Sequence, residues 1–279
     1  MLGGGLFADW RNWKERRRAK RDLRRMHSAE IYNMGVPGLN PFKQAEQALM
    51  DGSHESALQI WRRLVELYPD YVRRDPQSAR LTLGLNLYEE AEALANAGIK
   101  RSPMNWVYAE VYAEVAERRG DLAEAIIRWA RVRRRFPNRF LGYTREAECL
   151  LRVGKPAQAE ELAQRAMSRF PDERDCWLTS ARIAEELGNW TEALSRWNAV
   201  AERFPDLPHG FSGAARAMLA LGRHDEAEAW LVTARYSHPL NLEIAVMLAR
   251  RAEHRGDTQE AARRWEQVRE RWPNASAGA

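Results

Sequence analysis

Prolines fall at Pro69, Pro103, Pro137, Pro171, Pro205, Pro239 and Pro273, a constant step of 34 residues. Glycines keep the same period at Gly52, Gly120, Gly154, Gly188, Gly222 and Gly256, with Asn86 in the slot between the first two. Two alanine series run in phase with them. One is Ala45, Ala79, Ala113, Ala147, Ala181, Ala215 and Ala249; the other is Ala57, Ala91, Ala125, Ala159, Ala193, Ala227 and Ala261. Four series in register restrict the chain to a tandem array. A repeat of this length is one supersecondary element that buries its apolar face only against its neighbours.

Each series has a physical reason. The glycine, or Asn86, separates two helix-length segments where a left-handed C-terminal cap is required. The proline cannot continue a helix and marks the end of the second segment. One alanine of each repeat lies on each helix, where a bare methyl group lets two helices approach closely. The unit is therefore helix A, turn, helix B, turn. In the fourth repeat the spacing predicts helix A near 139–153 and helix B near 156–169, with apolar residues at three- and four-residue intervals.

These residues resemble the tetratricopeptide repeat family. With units starting at Gly38, Val72, Trp106, Phe140, Arg174, Pro208 and Leu242, the two alanine series and the proline fall on the family's small and proline positions. The units then span 38–71, 72–105, 106–139, 140–173, 174–207, 208–241 and 242–275, within a domain of residues 37–279. The aromatic of the fourth position is kept at Tyr143, Trp177 and Phe211. The second repeat is the loosest, with Asn86 for glycine and Asp75-Pro76 inside its first helix. The resemblance implies an all-α, right-handed superhelical solenoid with the A helices on its concave side. It also implies a non-enzymatic scaffold or adaptor holding partner proteins in an intracellular assembly.

A period of 68 residues lies over the shorter one. Trp61, Trp129, Trp197 and Trp265 alternate with Ala95, Ala163 and Leu231. Three positions on, Leu64, Val132, Val200 and Val268 alternate with Gly98, Ala166 and Ala234. Bulk from one hairpin filling space left by small residues in the next explains the alternation. These tryptophans are therefore assigned to the core.

The chain of 279 residues carries 44 Lys+Arg against 39 Asp+Glu. Residues 1–36 hold nine bases and four acids, and the remaining 35 bases and 35 acids cancel, so the whole net charge of +5 belongs to that segment. Trp10 and Trp13 precede Arg16, Arg17, Arg18 and Arg21 there, on a segment near 9–30 that suits a helix. Such a helix could cap the first hairpin. It could equally dock on a partner or on an anionic membrane surface, while nucleic acid is the disfavoured partner. The start carries no signal-type apolar core, which suggests a cytoplasmic protein, peripheral at the inner membrane face if the tail docks there. An accessory or regulatory subunit of a membrane-associated enzyme system, such as bacterial envelope polysaccharide assembly, is the alternative function.

If the A helices line a groove, the resemblance implies that their ninth positions face it: Glu46, Arg80, Glu114, Glu148, Arg182, Arg216 and Arg250. The expected groove is polarised, acidic around Glu114 and Glu148 and basic along Arg182, Arg216 and Arg250. Guanidinium groups suit bidentate recognition of an acidic extended segment. Pairing of these arginines with nearby Glu185, Glu186 and Glu253 is the competing reading. No unit carries the Lys–Asn pair of the family's peptide-carboxylate clamp. The sequence shows no catalytic motif and no cofactor or metal site. Six scattered histidines form no ligand pair, and Cys149 and Cys176 read as packed thiols.

Overall fold

The computed structural model describes residues 41–273, and among these the chain is all-helical, with fifteen helices. It divides after Arg119 into two compact blocks. The N-terminal block contains α1 (Pro41–Met50), α2 (His54–Leu67), α3 (Pro69–Val72), α4 (Pro76–Gly84), α5 (Tyr88–Arg101) and α6 (Trp106–Arg118). The C-terminal block begins with α7 (Leu122–Arg135). It continues as α8 (Leu141–Arg152) and α9 (Pro156–Arg169), then α10 (Arg174–Glu186) and α11 (Trp190–Arg203). The last two pairs are α12 (Pro208–Ala220) with α13 (His224–Ser237), and α14 (Leu242–His254) with α15 (Thr258–Arg271). Residues 1–40, including Trp10, Trp13, Arg16, Arg17, Arg18 and Arg21, lie outside the described residues.

The helix boundaries follow from the repeated residues. Gly52, Gly120, Gly154, Gly188, Gly222 and Gly256 all have φ between +68° and +81°, and Asn86 has φ +59°. The left-handed residue between helices A and B is therefore present in every repeat. Each helix B ends two residues before its proline. The residue in between has left the helical region, which a following proline disfavours, with Phe204 at φ −128° and ψ 67°. Helix B of repeats three, five and seven opens on Asp121, Asn189 and Asp257, whose side chains accept the backbone N–H of Glu124, Glu192 and Glu260.

Two boundaries differ from the sequence expectation. Helix A of repeat four starts at Leu141 rather than near 139. In repeat two, Asp75 and Pro76 are not inside a helix but at its start. Pro76 lacks an N–H and cannot bond to the preceding turn, so a new helix begins there, with the Asp75 carboxylate accepting from Gln77 N at 2.8 Å.

Both alanine series are buried throughout. Within the C-terminal block successive helices pack in order, and the A helices α8, α10, α12 and α14 also touch one another in sequence. The A helices thus form the inner layer of that stack. Trp61, Trp129 and Trp197 are buried, as core residues should be, and Trp265 is half-buried.

The 68-residue alternation is a rule about seams between hairpins. Trp197 fits against Gly213 on the next helix A, and Ala227 of the next helix B lies in the same buried cluster. The position of Gly213 holds Gln77 after Trp61 and Arg145 after Trp129, so that glycine serves Trp197 alone. A Cβ at Gly213 would lie 2.2 Å from the Trp197 ring. At the same kind of seam, a Cβ on Gly142 would sit 2.7 Å from Arg133 N, and one on Gly210 2.6 Å from Ala201 N. The alternate seams invert the sizes. Gly98, Ala166 and Ala234 on helix B meet Tyr108, Cys176 and Ile244 on the following helix A.

Candidate functional site

The position-nine residues sit on A helices, where one side chain per hairpin points the same way. In the N-terminal block, Glu114 pairs with Arg118 at 2.8 Å, and buried Glu110 pairs with Arg80 at 3.5 Å. Arg80 also stacks over Trp106, 5.0 Å from its centroid. In the C-terminal block, Glu148 accepts from Arg182 at 2.6 Å, from Thr179 at 3.2 Å and from Arg145 at 3.2 Å. Arg216 bonds bidentately to Glu185 at 2.7 and 3.2 Å, bonds to Glu243 and lies over the Trp197 ring.

Two of the three arginines are therefore engaged in an internal network; of the glutamates expected for it Glu185 serves, while Glu148 and Glu243 take the places expected of Glu186 and Glu253. Arg250 differs. It is exposed and its side chain has no partner among the described residues. Glu253 accepts the Trp265 indole N–H at 2.7 Å instead.

Arg250 lines a cavity of about 1200 Å³ between α12 and α14. Leu219, Leu242, Val246 and Met247 give it apolar surface. Arg216, Arg250, Arg251 and Arg255 give it positive charge, against Asp225 and Glu243. Arg251 is absent from the sequence-derived site, although its position carries a signal. The equivalent residues are Gln47, Leu81, Val115, Cys149, Ile183 and Ala217. A charge stands where five of the other six repeats hold a residue buried in the core.

The arginines of the 68-residue period, Arg128, Arg196 and Arg264, also escaped assignment. They are structural. Arg196 is 9% exposed and donates to Glu192 at 2.8 Å, to Glu160 and, at 3.0 Å, to the carbonyl of Ser180. Arg264 repeats the pattern with Glu260, Glu228 and the carbonyl of Leu248. Hydrogen bonds from Arg263 and Arg264 lower the Glu260 carboxyl to about 2. The bond from Arg196 likewise holds the Glu160 carboxyl below its ordinary value. Both cysteines are buried and outside any disulfide, and burial pushes the Cys176 thiol up to about 12.

Position-four aromatics brace the preceding turn. Tyr143 O–H donates to Pro137 O at 3.4 Å and Trp177 N–H to Pro171 O at 2.9 Å. Among the described residues, no three His, Cys, Asp or Glu side chains gather as metal ligands. No described helix is long and apolar enough to cross a membrane.

Comparison with known proteins places the fold. Four tetratricopeptide repeat models match residues 42–71, 77–139, 150–211 and 208–232 with 242–267. The chain belongs to the tetratricopeptide repeat family. No curated protein matches it.

Among solved structures, a tetratricopeptide repeat protein from Parabacteroides merdae is 12% identical. It superposes with a TM-score of 0.59, covering 85% of this chain and 93% of that one. The C-terminal part of a repeat protein from Cytophaga hutchinsonii is 15% identical, with a TM-score of 0.57, covering 84% and 96%. The type IV pilus biogenesis factor PilW is 18% identical, with a TM-score of 0.61, covering 72% and 93%. At these identities the likeness is one of fold. A stack of this family supports a general role as a protein–protein interaction scaffold, since its exposed inner surface suits extended partners.

Proposed function

We propose that the chain is a non-enzymatic scaffold whose C-terminal block holds an extended acidic segment of a partner protein along the A helices. Arg182, Arg216 and Arg250 form the basic row, and Glu148 marks its acidic end. Glu114 serves the N-terminal block in the same way. The observation that carries this reading is Arg250, an exposed guanidinium without an internal partner beside a large cavity. Arg182 and Arg216 contribute field and shape while remaining tied to their glutamates.

Residues 1–36 form a separate docking segment in this proposal, supported by the net charge they hold. Trp10 and Trp13 with the arginines that follow would give a second contact, to the same assembly or to an anionic membrane surface. The scaffold would then act in the cytoplasm or at the inner membrane face.

Arg250→Glu tests the groove most cleanly, because Arg216→Glu would set three carboxylates together with Glu185 and Glu243. The full chain is probed on an array of acidic peptides and their amide counterparts. The expected result is selective capture of acidic peptides by the wild type, lost in Arg250→Glu at an unchanged melting temperature. Equal capture by both proteins would overturn the reading.

A further inference from the structure

We infer that Arg251 is an anchor for a carboxylate of the bound segment. The site recognised is an acidic side chain flanked by large apolar ones, inserted into the cavity between α12 and α14. The inference rests on the groove reading and deepens it by naming the recognised chemistry and the residue that reads it.

Arg251 is 8% exposed, yet its guanidinium makes no hydrogen bond or ion pair among the described residues, and its Nε is buried without an acceptor. A buried donor left in that state is costly, because Nε has lost water and gained no acceptor in return, while the two terminal nitrogens still reach the cavity. Arg196, of nearly equal burial, shows what a structural arginine looks like in this fold, with two carboxylates and a carbonyl arranged around it. The core needs no cation at Arg251, since Leu81, Val115, Cys149, Ile183 and Ala217 fill the same position elsewhere.

The local acids do not serve it. Glu243 is held by Arg216, and Glu228 by Arg255 and Arg264. Asp225 lines the cavity but is exposed at the start of α13, and it makes no bond to Arg251. With Arg250 also unpaired, the cavity holds two unmatched guanidinium groups beside the half-buried side chains of Leu219, Leu242, Val246 and Met247. A carboxylate meeting Arg251 at the cavity wall gains a charge-assisted bond to a largely buried guanidinium, where less solvent competes than at the surface. The apolar walls select its neighbours. Position ten is turned into the stack, so this anchor differs from a groove-facing clamp on the ninth positions.

The test pans the full chain against phage-displayed random dodecapeptides. Enriched peptides are then remeasured on the wild type, Arg251→Leu and Arg251→Met. The expected peptides carry Asp or Glu beside Leu, Ile, Met or Phe. They should bind both variants about tenfold to a hundredfold more weakly, the range of a lost charge-assisted hydrogen bond. Melting midpoints of the variants should equal or exceed that of the wild type.

Acidic peptides that bind the variants as well as the wild type would overturn the Arg251 assignment and leave the groove reading standing. No enrichment, or enrichment of neutral peptides only, would overturn both. Inorganic phosphate that stabilises the wild type but neither variant, with no acidic peptide selected, would show a small-anion site and overturn the peptide assignment. Concentration-dependent association abolished in the variants would identify a second copy as occupant, with the same consequence.

Discussion

Two buried arginines of the C-terminal block occupy opposite situations. Arg196, at the seam of α9, α10 and α11, lies against Glu160, Glu192 and Ser180, and its charge is fully matched. Arg251, on α14, is as deeply buried and matched by nothing among the described residues. Burial alone thus does not tell a structural charge from one available to a partner; the accounting of donors and acceptors does. The first arginine fastens one hairpin to the next. The second leaves a cavity electrostatically unfinished.

The largest effect that would sharpen this contrast is expected at Arg196→Leu. It removes the buried cation from Glu160 and Glu192; those carboxylates are 22% and 47% exposed, so water discounts the cost of a broken buried pair to about 3 kcal/mol. Urea unfolding followed by circular dichroism should show a clearly lowered midpoint. A midpoint close to wild type would put Arg196 in the same class as Arg251.

Gly213→Ala comes next. Its new methyl would enter the Trp197 ring, and overpacking of this kind costs about 1–3 kcal/mol. Hydrogen exchange should localise the loss to α11 and α12, because a stack of repeats transmits strain mainly to nearest neighbours. Protection unchanged there would mean that Trp197 can move aside.

Arg251→Leu should be smaller and opposite in sign, neutral or stabilising by about 1 kcal/mol. A strong destabilisation would place Arg251 among the structural arginines.

The smallest effect concerns acid. The carboxyls of Glu160 and Glu260 lie lower in the fold than in the unfolded chain. They therefore contribute stability above the unfolded carboxyl value of about 4.3, and that contribution is lost as pH falls towards the folded value. For Glu260 the folded value is about 2. Melting temperature should drop between these limits, and Glu260→Gln should flatten part of the drop. A variant with the wild-type profile would remove Glu260 as a source of acid sensitivity.

The legible part of the fold and the illegible part of the site have different physical origins. The period of proline, glycine and alanine acts within and between adjacent helices, so spacing along the chain carries it directly. Gly120 takes the left-handed turn between two helices without a Cβ penalty, and Ala147 keeps a helix crossing close because it is small. Even the alternation of bulk could be read as size complementarity, although the glycine that Trp197 meets, Gly213, lies on the following helix A and is replaced by Gln77 and Arg145 after Trp61 and Trp129.

Ion pairing was not legible in the same way. Arg182, Arg216 and Arg250 are equivalent in the repeat, yet the first reaches Glu148, the second reaches Glu185 and Glu243, and the third reaches no partner. The first partner lies one repeat back and the others one repeat back and one forward, at distances set by how the hairpins rotate on one another.

The sequence by itself determined the class of this protein: a tandem array of helical hairpins, the ends of its B helices, its alanine crossings and the concentration of net charge in residues 1–36. Only the tertiary structure decided which charges are spent on the fold and which remain. That decision depends on a few ångströms between side chains of neighbouring repeats. An arginine in an apolar column is visible in the sequence, but whether a carboxylate meets it is a property of packing.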